Sequence, residues 1–237
     1  MMKVKHRLFN PFVSTVLIVL FLRFTTTAEE ILFSEDFQNG EISDQWTFYG
    51  DPISVINSDM GNPAPCFNNN GDSMWSSGIK SRQTFSIKDG LVIQCDIYLS
   101  CHSRGAWVGS YFGIHDPTLT SGDAEPAIVT GLKYLYAGEL SWHRPHLQGL
   151  LDCNISRSYR NERIPDMIHM NQWLGRWHTF KIEISPDDLC SFSVDDSVLV
   201  THQASFPDSL SEVGIYLGGR ATSWGVALHD NLVVYVP

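Results

Sequence analysis

Two stretches of this sequence hold side chains able to grip a sugar. Trp107, Gly109, Tyr111 and Gly113 alternate with Val108, Phe112 and Ile114, so in an extended strand the first set shares one face. Two flat rings set apart by glycines suit the apolar face of a pyranose on the floor of a groove. The same spacing also suits rings packed beneath a loop. Trp142-His143-Arg144-Pro145-His146 gathers an indole, a guanidinium fork and two imidazoles in a segment that reads as a loop, and loop residues of this kind are disproportionately functional. Trp142, His143 and Arg144 are therefore expected at the rim of the groove, where imidazole and guanidinium donate to hydroxyl oxygens. His143 and His146 have a spacing that a transition metal could use, but no third ligand follows at a matching distance.

Hydrolysis of a glycosidic bond makes a different demand: two carboxyl groups on opposite sides of one sugar bond. The nearest pair, Asp123 and Glu125, lies between Ser121-Gly122 and Pro126, a loop by composition. Glu35 and Asp36 are adjacent and so face opposite sides of a strand.

The elements that must position these residues read as strands from end to end. Residues 31–37, 91–100, 107–114, 128–136, 178–185, 190–194, 197–202, 213–217 and 226–236 are short runs rich in β-branched and aromatic residues, separated by turn clusters. Several alternate cleanly, such as Phe180, Ile182 and Ile184 against Lys181 and Glu183, the mark of an antiparallel sheet with one buried face. Asp195-Asp196 occupies the place of a two-residue hairpin turn. No repeat or linker divides residues 29–237, and so many strands in one domain would curl or split as a single sheet. The sequence therefore predicts an all-β fold, an antiparallel two-sheet β-sandwich, with Phe180, Ile182, Ile184, Val213, Ile215 and Leu217 between the sheets.

Residues 1–28 stand apart from that domain. Lys3, Lys5 and Arg7 precede an eleven-residue apolar run, Phe12 to Leu22, and the small residues Thr26 and Ala28 follow Arg23. This is the pattern of a secretory signal peptide cut after Ala28, and the run is short of the roughly 20 residues a membrane span needs. A secreted or extracytoplasmic protein with no stable membrane span after cleavage is expected. Loss of this segment removes four basic residues and no acid, taking the net charge from −10 to −14. Such a charge disfavours nucleic acid and anionic lipid and favours a neutral glycan as partner. The five cysteines are odd in number; Cys95 and Cys190 are in phase with core residues, whereas Cys66 and Cys153 lie in turn-rich surroundings and are the better candidates for a bridge. Asn154-Ile155-Ser156 is a glycosylation acceptor in a eukaryotic host.

The segments Arg176-Trp-His-Thr-Phe-Lys-Ile-Glu-Ile, Phe192-Ser-Val-Asp-Asp, Val213-Gly-Ile-Tyr-Leu-Gly-Gly-Arg and Asp230-Asn-Leu-Val-Val-Tyr, with Phe33-Ser-Glu-Asp-Phe and Trp46 at the other end, resemble the concanavalin A-like lectin/glucanase jelly rolls of laminin-G-like kind. The resemblance covers the two ends of the mature chain well and the middle, Cys101 to Trp173, poorly. It implies a glycan on the concave face. It also implies a structural calcium ion near the chain ends, for which Glu35, Asp36 and Asp230 are the candidate ligands, solvated carboxylates being the alternative. The Glu-x-Asp-x-Glu strand of the glucanase branch is missing. Ile114-His115 and Tyr134-Leu-Tyr-Ala-Gly-Glu resemble motifs of jelly-roll alginate lyases, but Gly113 and Tyr136 replace the expected Gln and Lys. The sequence thus points to a secreted, non-catalytic, lectin-like module that binds a neutral glycan or acts in adhesion, with a polysaccharide-degrading enzyme, lyase or hydrolase, as the alternative.

Overall fold

The computed structural model describes residues 29–50, 53–57, 63–66, 77–101, 107–120, 126–137, 146–151, 160–163, 175–204, 206, 208–221 and 225–237. The described residues form sixteen strands in two antiparallel sheets. The strands are β1 (Glu30–Glu35), β2 (Trp46–Gly50), β3 (Ser54–Asn57), β4 (Pro63–Cys66), β5 (Ser77–Ser81), β6 (Phe85–Ser86), β7 (Leu91–Cys101) and β8 (Trp107–Thr120). They continue with β9 (Pro126–Ala137), β10 (His146–Leu151), β11 (Arg160–Arg163), β12 (Trp177–Ile184), β13 (Leu189–Val194), β14 (Ser197–Gln203), β15 (Glu212–Ala221) and β16 (Gly225–Val236). The first sheet runs β14-β13-β12-β7-β16-β4-β3, with β1 also on β16; the second runs β11-β10-β9-β8-β15-β5-β2, with β6 also on β15.

Alternation decides which face of each strand is buried. Phe180, Ile182 and Ile184 of β12 and Val213, Ile215 and Leu217 of β15 are all fully buried and belong to one cluster with Phe33, Trp46, Ile93, Phe112 and Phe192. The expected sandwich core is present. Cys95 and Cys190 are buried in it, as their phase implied; burial pushes the Cys95 thiol well above its ordinary value. Asp195 and Asp196 both have positive φ, 48° and 63°, as a two-residue hairpin of primed type requires. Asp195 also ties the turn to β12, its Oδ1 accepting from the Thr179 N–H at 3.0 Å and its Oδ2 lying 2.7 Å from Nδ1 of His178.

The strand pattern is more extensive than the sequence predicts. Strand β8 runs on to Thr120, and β2, β3, β4, β5, β6, β10 and β11 were not among the predicted runs. Trp46, which the resemblance placed with the opening strand, begins β2 in the opposite sheet. Its ring stands edge-on to Phe33 at 5.7 Å, and its indole N–H donates to Glu35 Oε2 at 3.1 Å. Residues 1–28, Cys153, Asn154, Asp123 and Glu125 lie outside the described residues. Among the described residues no helix is long and apolar enough to cross a membrane.

Candidate functional site

Partners in an antiparallel ladder share a face, so the registers of the second sheet lay out its outer surface row by row. One row reads Tyr49, Gly78, Gly218, Tyr111, Lys133, Gln148 and Arg163. The next reads Thr47, Lys80, Tyr216, Gly113, Gly131, Leu150 and Asn161. Beyond it His115 stands opposite Gly214, and on the other side Arg220, Gly109, Leu135 and His146 are in line, followed by Trp107 opposite Ala137.

Four rings of this face stand directly opposite glycines: Tyr49 and Gly78, Tyr111 and Gly218, Tyr216 and Gly113, His115 and Gly214. A Cβ on Gly78 would come within 2.1 Å of Cζ and Oη of Tyr49, and one on Gly214 within 2.3 Å of Nε2 of His115. The Tyr49 and His115 rings therefore lie across the neighbouring strand instead of standing off the sheet. The Tyr49 hydroxyl donates to the Leu217 carbonyl at 3.4 Å. Tyr49, Tyr111, Tyr216 and His115 are buried, yet the three tyrosines stand outside the core cluster between the sheets.

His115 differs chemically from its neighbours. It is 3% exposed, and neither ring nitrogen has a hydrogen-bond partner. Burial is the main cause that lowers it to about 4, and the nearby Lys80 cation lowers it further against the opposing Asp116. The imidazole is thus neutral at pH 7, with one N–H donor and one acceptor nitrogen. On the opposite side of β8, Ser110 points into the sandwich, its hydroxyl 2.7 Å from Nε2 of the fully buried His229.

The sequence-predicted site residues divide as follows. Tyr111 lies on the outer face at 6% exposure, and Trp107 occupies the first position of β8, in register with Ala137. Trp142, His143 and Arg144 lie outside the described residues, between β9 and β10. Of the lyase-like motifs, Tyr134 is in register with Ser110 and His115 with Gly214 on the outer face. Tyr49, Tyr216 and Lys80 were missed, because what brings them beside Tyr111 is pairing between strands distant in sequence.

The three candidate calcium ligands have other employment. Both oxygens of Glu35 are occupied, Oε1 by the Phe37 N–H at 3.0 Å and Oε2 by Ser43 Oγ at 3.0 Å and Trp46 Nε1 at 3.1 Å. Asp36 is exposed and accepts from the Gln38 N–H. Asp230 is buried and accepts from the Asn231 N–H at 2.8 Å; burial first, then the neighbouring Asp96 and Asp36, push it up to about 6. Calcium takes six to eight oxygen ligands, and among the described residues no group of three or more His, Cys, Asp or Glu is arranged to hold a metal. Glu35 is a hinge of hydrogen bonds for the β1–β2 connection.

No protein-family model matches the chain, and neither does any curated protein. Solved structures do. The carbohydrate recognition domain of Emp47p superposes with a TM-score of 0.54 at 16% identity, over 86% of this chain and 94% of that one. A pseudo β-1,3-glucanase of Mycobacterium tuberculosis, the immunostimulatory antigen Rv0315, gives 0.59 at 14% identity over 88% and 99%. A protein of unknown function with a galectin-like fold from Bacillus subtilis gives 0.54 at 12% identity over 87% and 96%. These similarities establish the fold as the concanavalin A-like jelly roll.

Proposed function

We propose that this chain is a secreted, non-catalytic module that binds a glycan on the outer face of the β11-β10-β9-β8-β15-β5-β2 sheet and serves in extracellular recognition or adhesion. Trp107 supplies the stacking ring, Tyr111 lies in the floor, and Trp142, His143 and Arg144 form the rim. The observation that carries the reading is the pairing of Tyr49, Tyr111, Tyr216 and His115 on this face with glycines on the next strand. That arrangement sets a group of aromatic rings outside the inter-sheet core, the kind of side chain against which a sugar ring packs. The jelly rolls of like fold include a carbohydrate recognition domain and a protein described as a pseudo-glucanase, which is consistent with binding that does not end in bond cleavage.

A glycan array probed with the exported protein tests this directly. Retention of at least one glycan class, with no reducing-end release and no unsaturated product from it, is the expected result. Cleavage of a bound glycan, lost on substitution of His115, would replace the module with an enzyme.

A further inference from the structure

The outermost strand of a sheet leaves a row of main-chain N–H and C=O groups open to another chain. Of the four strands that end the two sheet paths, β14 is the longest, with seven residues against five in β2 and four each in β3 and β11. Charge or proline commonly guards such an edge, and β11, Arg160-Asn-Glu-Arg163, is guarded by charge. Strand β14, Ser197-Val-Leu-Val-Thr-His-Gln203, has no charged residue and no proline. Among the described residues no strand pairs with its outer side, and there Ser197, Thr201 and Gln203 are exposed and Val198 is 65% exposed. The ladder between β13 and β14 skips Leu199 at a bulge, which leaves residues 200–203 as the regular part of the edge. The Ala204 N–H donates to the Asp188 carbonyl at 2.9 Å, so Ala204 faces β13. By alternation Thr201 and Gln203 turn their N–H and C=O groups outward.

The charges that bracket this strand have one sign. From Ser185 to Asp208 the sequence holds five Asp and no Glu, Lys or Arg. Asp195 and Asp196 make the turn at one end of β14, and Asp187 and Asp188 lie in the turn at the other, where Gln203 Nε2 donates to the Asp187 carbonyl at 2.7 Å. Asp187 and Asp196 are exposed, Asp188 is half-buried, and Asp195 faces His178. The cations of the adjoining elements, Arg176 and Lys181, stand two strands in from the edge, on β12 and just before it, where Glu183 accompanies them. Lys88 and Asp89, in the turn that brings Gly90 beside Pro186, offset each other. Two copies of this chain paired about a two-fold axis through β14 would set Asp turn against Asp turn at both ends, a like-charge contact that disfavours the pairing.

From this edge and its charges we propose that β14 takes up an extended segment of another protein as an added strand, one with an uncharged, β-branched centre and Lys or Arg at both ends. Seven residues at about 3.3 Å each set the two Asp turns roughly 20 Å apart, so the basic ends of the partner are separated by about six residues. Its main chain pairs with Thr201 and Gln203, an apolar side chain lies beside Val198, and its cations meet Asp195-Asp196 at one end and Asp187-Asp188 at the other. The edge belongs to the sheet opposite the tyrosine-glycine face, so this protein contact and the glycan contact are independent of each other.

The test is titration calorimetry of the exported protein with the peptide Lys-Lys-Val-Thr-Val-Thr-Val-Lys-Lys and two relatives. One relative has Glu in place of every Lys; the other has Pro-Pro in place of the first Thr-Val, which keeps the charge and removes a ladder donor in either register. The parent peptide should bind, and each relative should bind at least about tenfold more weakly, since two lost ladder bonds amount to about a decade. The double variant Asp187→Asn/Asp196→Asn should weaken the parent peptide by about fivefold. Val198→Lys, which places a guard charge on the edge, should lose it. Bound peptide should slow amide exchange within residues 197–203. If a variant fails to fold, the peptide series and the amide exchange of the natural chain decide. Equal binding of the proline peptide would show that charge alone holds the ligand, and equal binding of the Glu peptide would remove the Asp turns from recognition. A dimer in sedimentation equilibrium that Val198→Lys abolishes would give the edge to a second copy. Each of these results would overturn the proposal, as would protection confined to other strands or no binding of the parent peptide.

Discussion

The Ser110 hydroxyl lies 2.7 Å from Nε2 of His229, and the two residues come from opposite sheets, β8 and β16, and are both buried. A polar contact through an apolar sandwich has no water to replace it, so it sets how the ring-bearing strand β8 sits over β16. Ser110→Ala removes one partner and strands the other, at a cost of about 1–3 kcal/mol. For a domain of this size that lowers Tm by about 2–4 °C per kcal/mol. Scanning calorimetry should show the drop, and an unchanged Tm would mean that the pair does not couple the sheets.

The ring-over-glycine pairs make a second prediction. A methyl group at Gly214 would sit 2.3 Å from Nε2 of His115, and one at Gly78 would sit 2.1 Å from the Tyr49 ring, so neither site admits a side chain unless a ring lifts off the sheet. Gly78→Ala and Gly214→Ala should each destabilise by about 1–3 kcal/mol and weaken glycan binding together with stability. Urea unfolding that leaves the midpoint in place would show that the rings are free to move.

How much of this was legible in the sequence depends on whether the signal was local. Strands β7, β12, β13, β15 and β16 could be read because their apolar residues alternate over many positions, and the Asp195-Asp196 turn because its chemistry is contained in two residues. Strand β4, Pro-Ala-Pro-Cys, breaks the usual rule against proline in strands, and β5 offers only Ile79 as a core residue, so neither declares itself. The half of the site on β8 was visible as alternating rings and glycines. Its other half was not, because the register of β15 and β5 against β8 is a long-range property.

Stability should fall on acidification, with a sign that follows from three buried groups. Burial lowers His115 to about 4 and His229 to about 3 from an ordinary 6.5, while burial raises Asp230 to about 6 from 3.8. Below 6.5 the unfolded chain takes up both imidazole protons and the folded chain does not, so the histidine contribution, complete above 6.5, is lost as pH falls. Asp230 acts the other way: the folded chain binds its proton first, so its contribution is present at low pH and lost as pH rises through 6. Between about pH 6 and pH 4 the two histidines outweigh the one aspartate, a net loss of about 1.4 kcal/mol per pH unit. Urea midpoints at several pH values measure the slope, and a flat profile would contradict it.

Trp46 and Glu35 should matter for stability and not for ligand. Trp46 is 2% exposed and packs on Phe33 and Phe37, so Trp46→Ala should cost about 3–5 kcal/mol. Glu35→Gln, which turns one of two acceptor oxygens serving three donors into a donor, should cost about 1–3 kcal/mol with glycan affinity unchanged. A chelator should leave Tm where it is. A Tm lowered by chelator and restored by calcium would place an ion among these carboxylates after all.

The most direct measurement compares Trp107→Ala with Trp177→Ala, each on folded protein, in calorimetric titration with a glycan that the natural chain binds. Trp107 opens β8 on the tyrosine-glycine sheet, whereas Trp177, half-buried against Tyr98 at 5.6 Å between ring centres, belongs to the other sheet. Burying one such ring against a sugar is worth about 2 kcal/mol by area, more than tenfold in affinity. Trp107→Ala should therefore lose at least about tenfold in affinity while Trp177→Ala binds as the natural chain does. Full affinity in Trp107→Ala, or loss only in Trp177→Ala, would contradict the account and move the site to another surface.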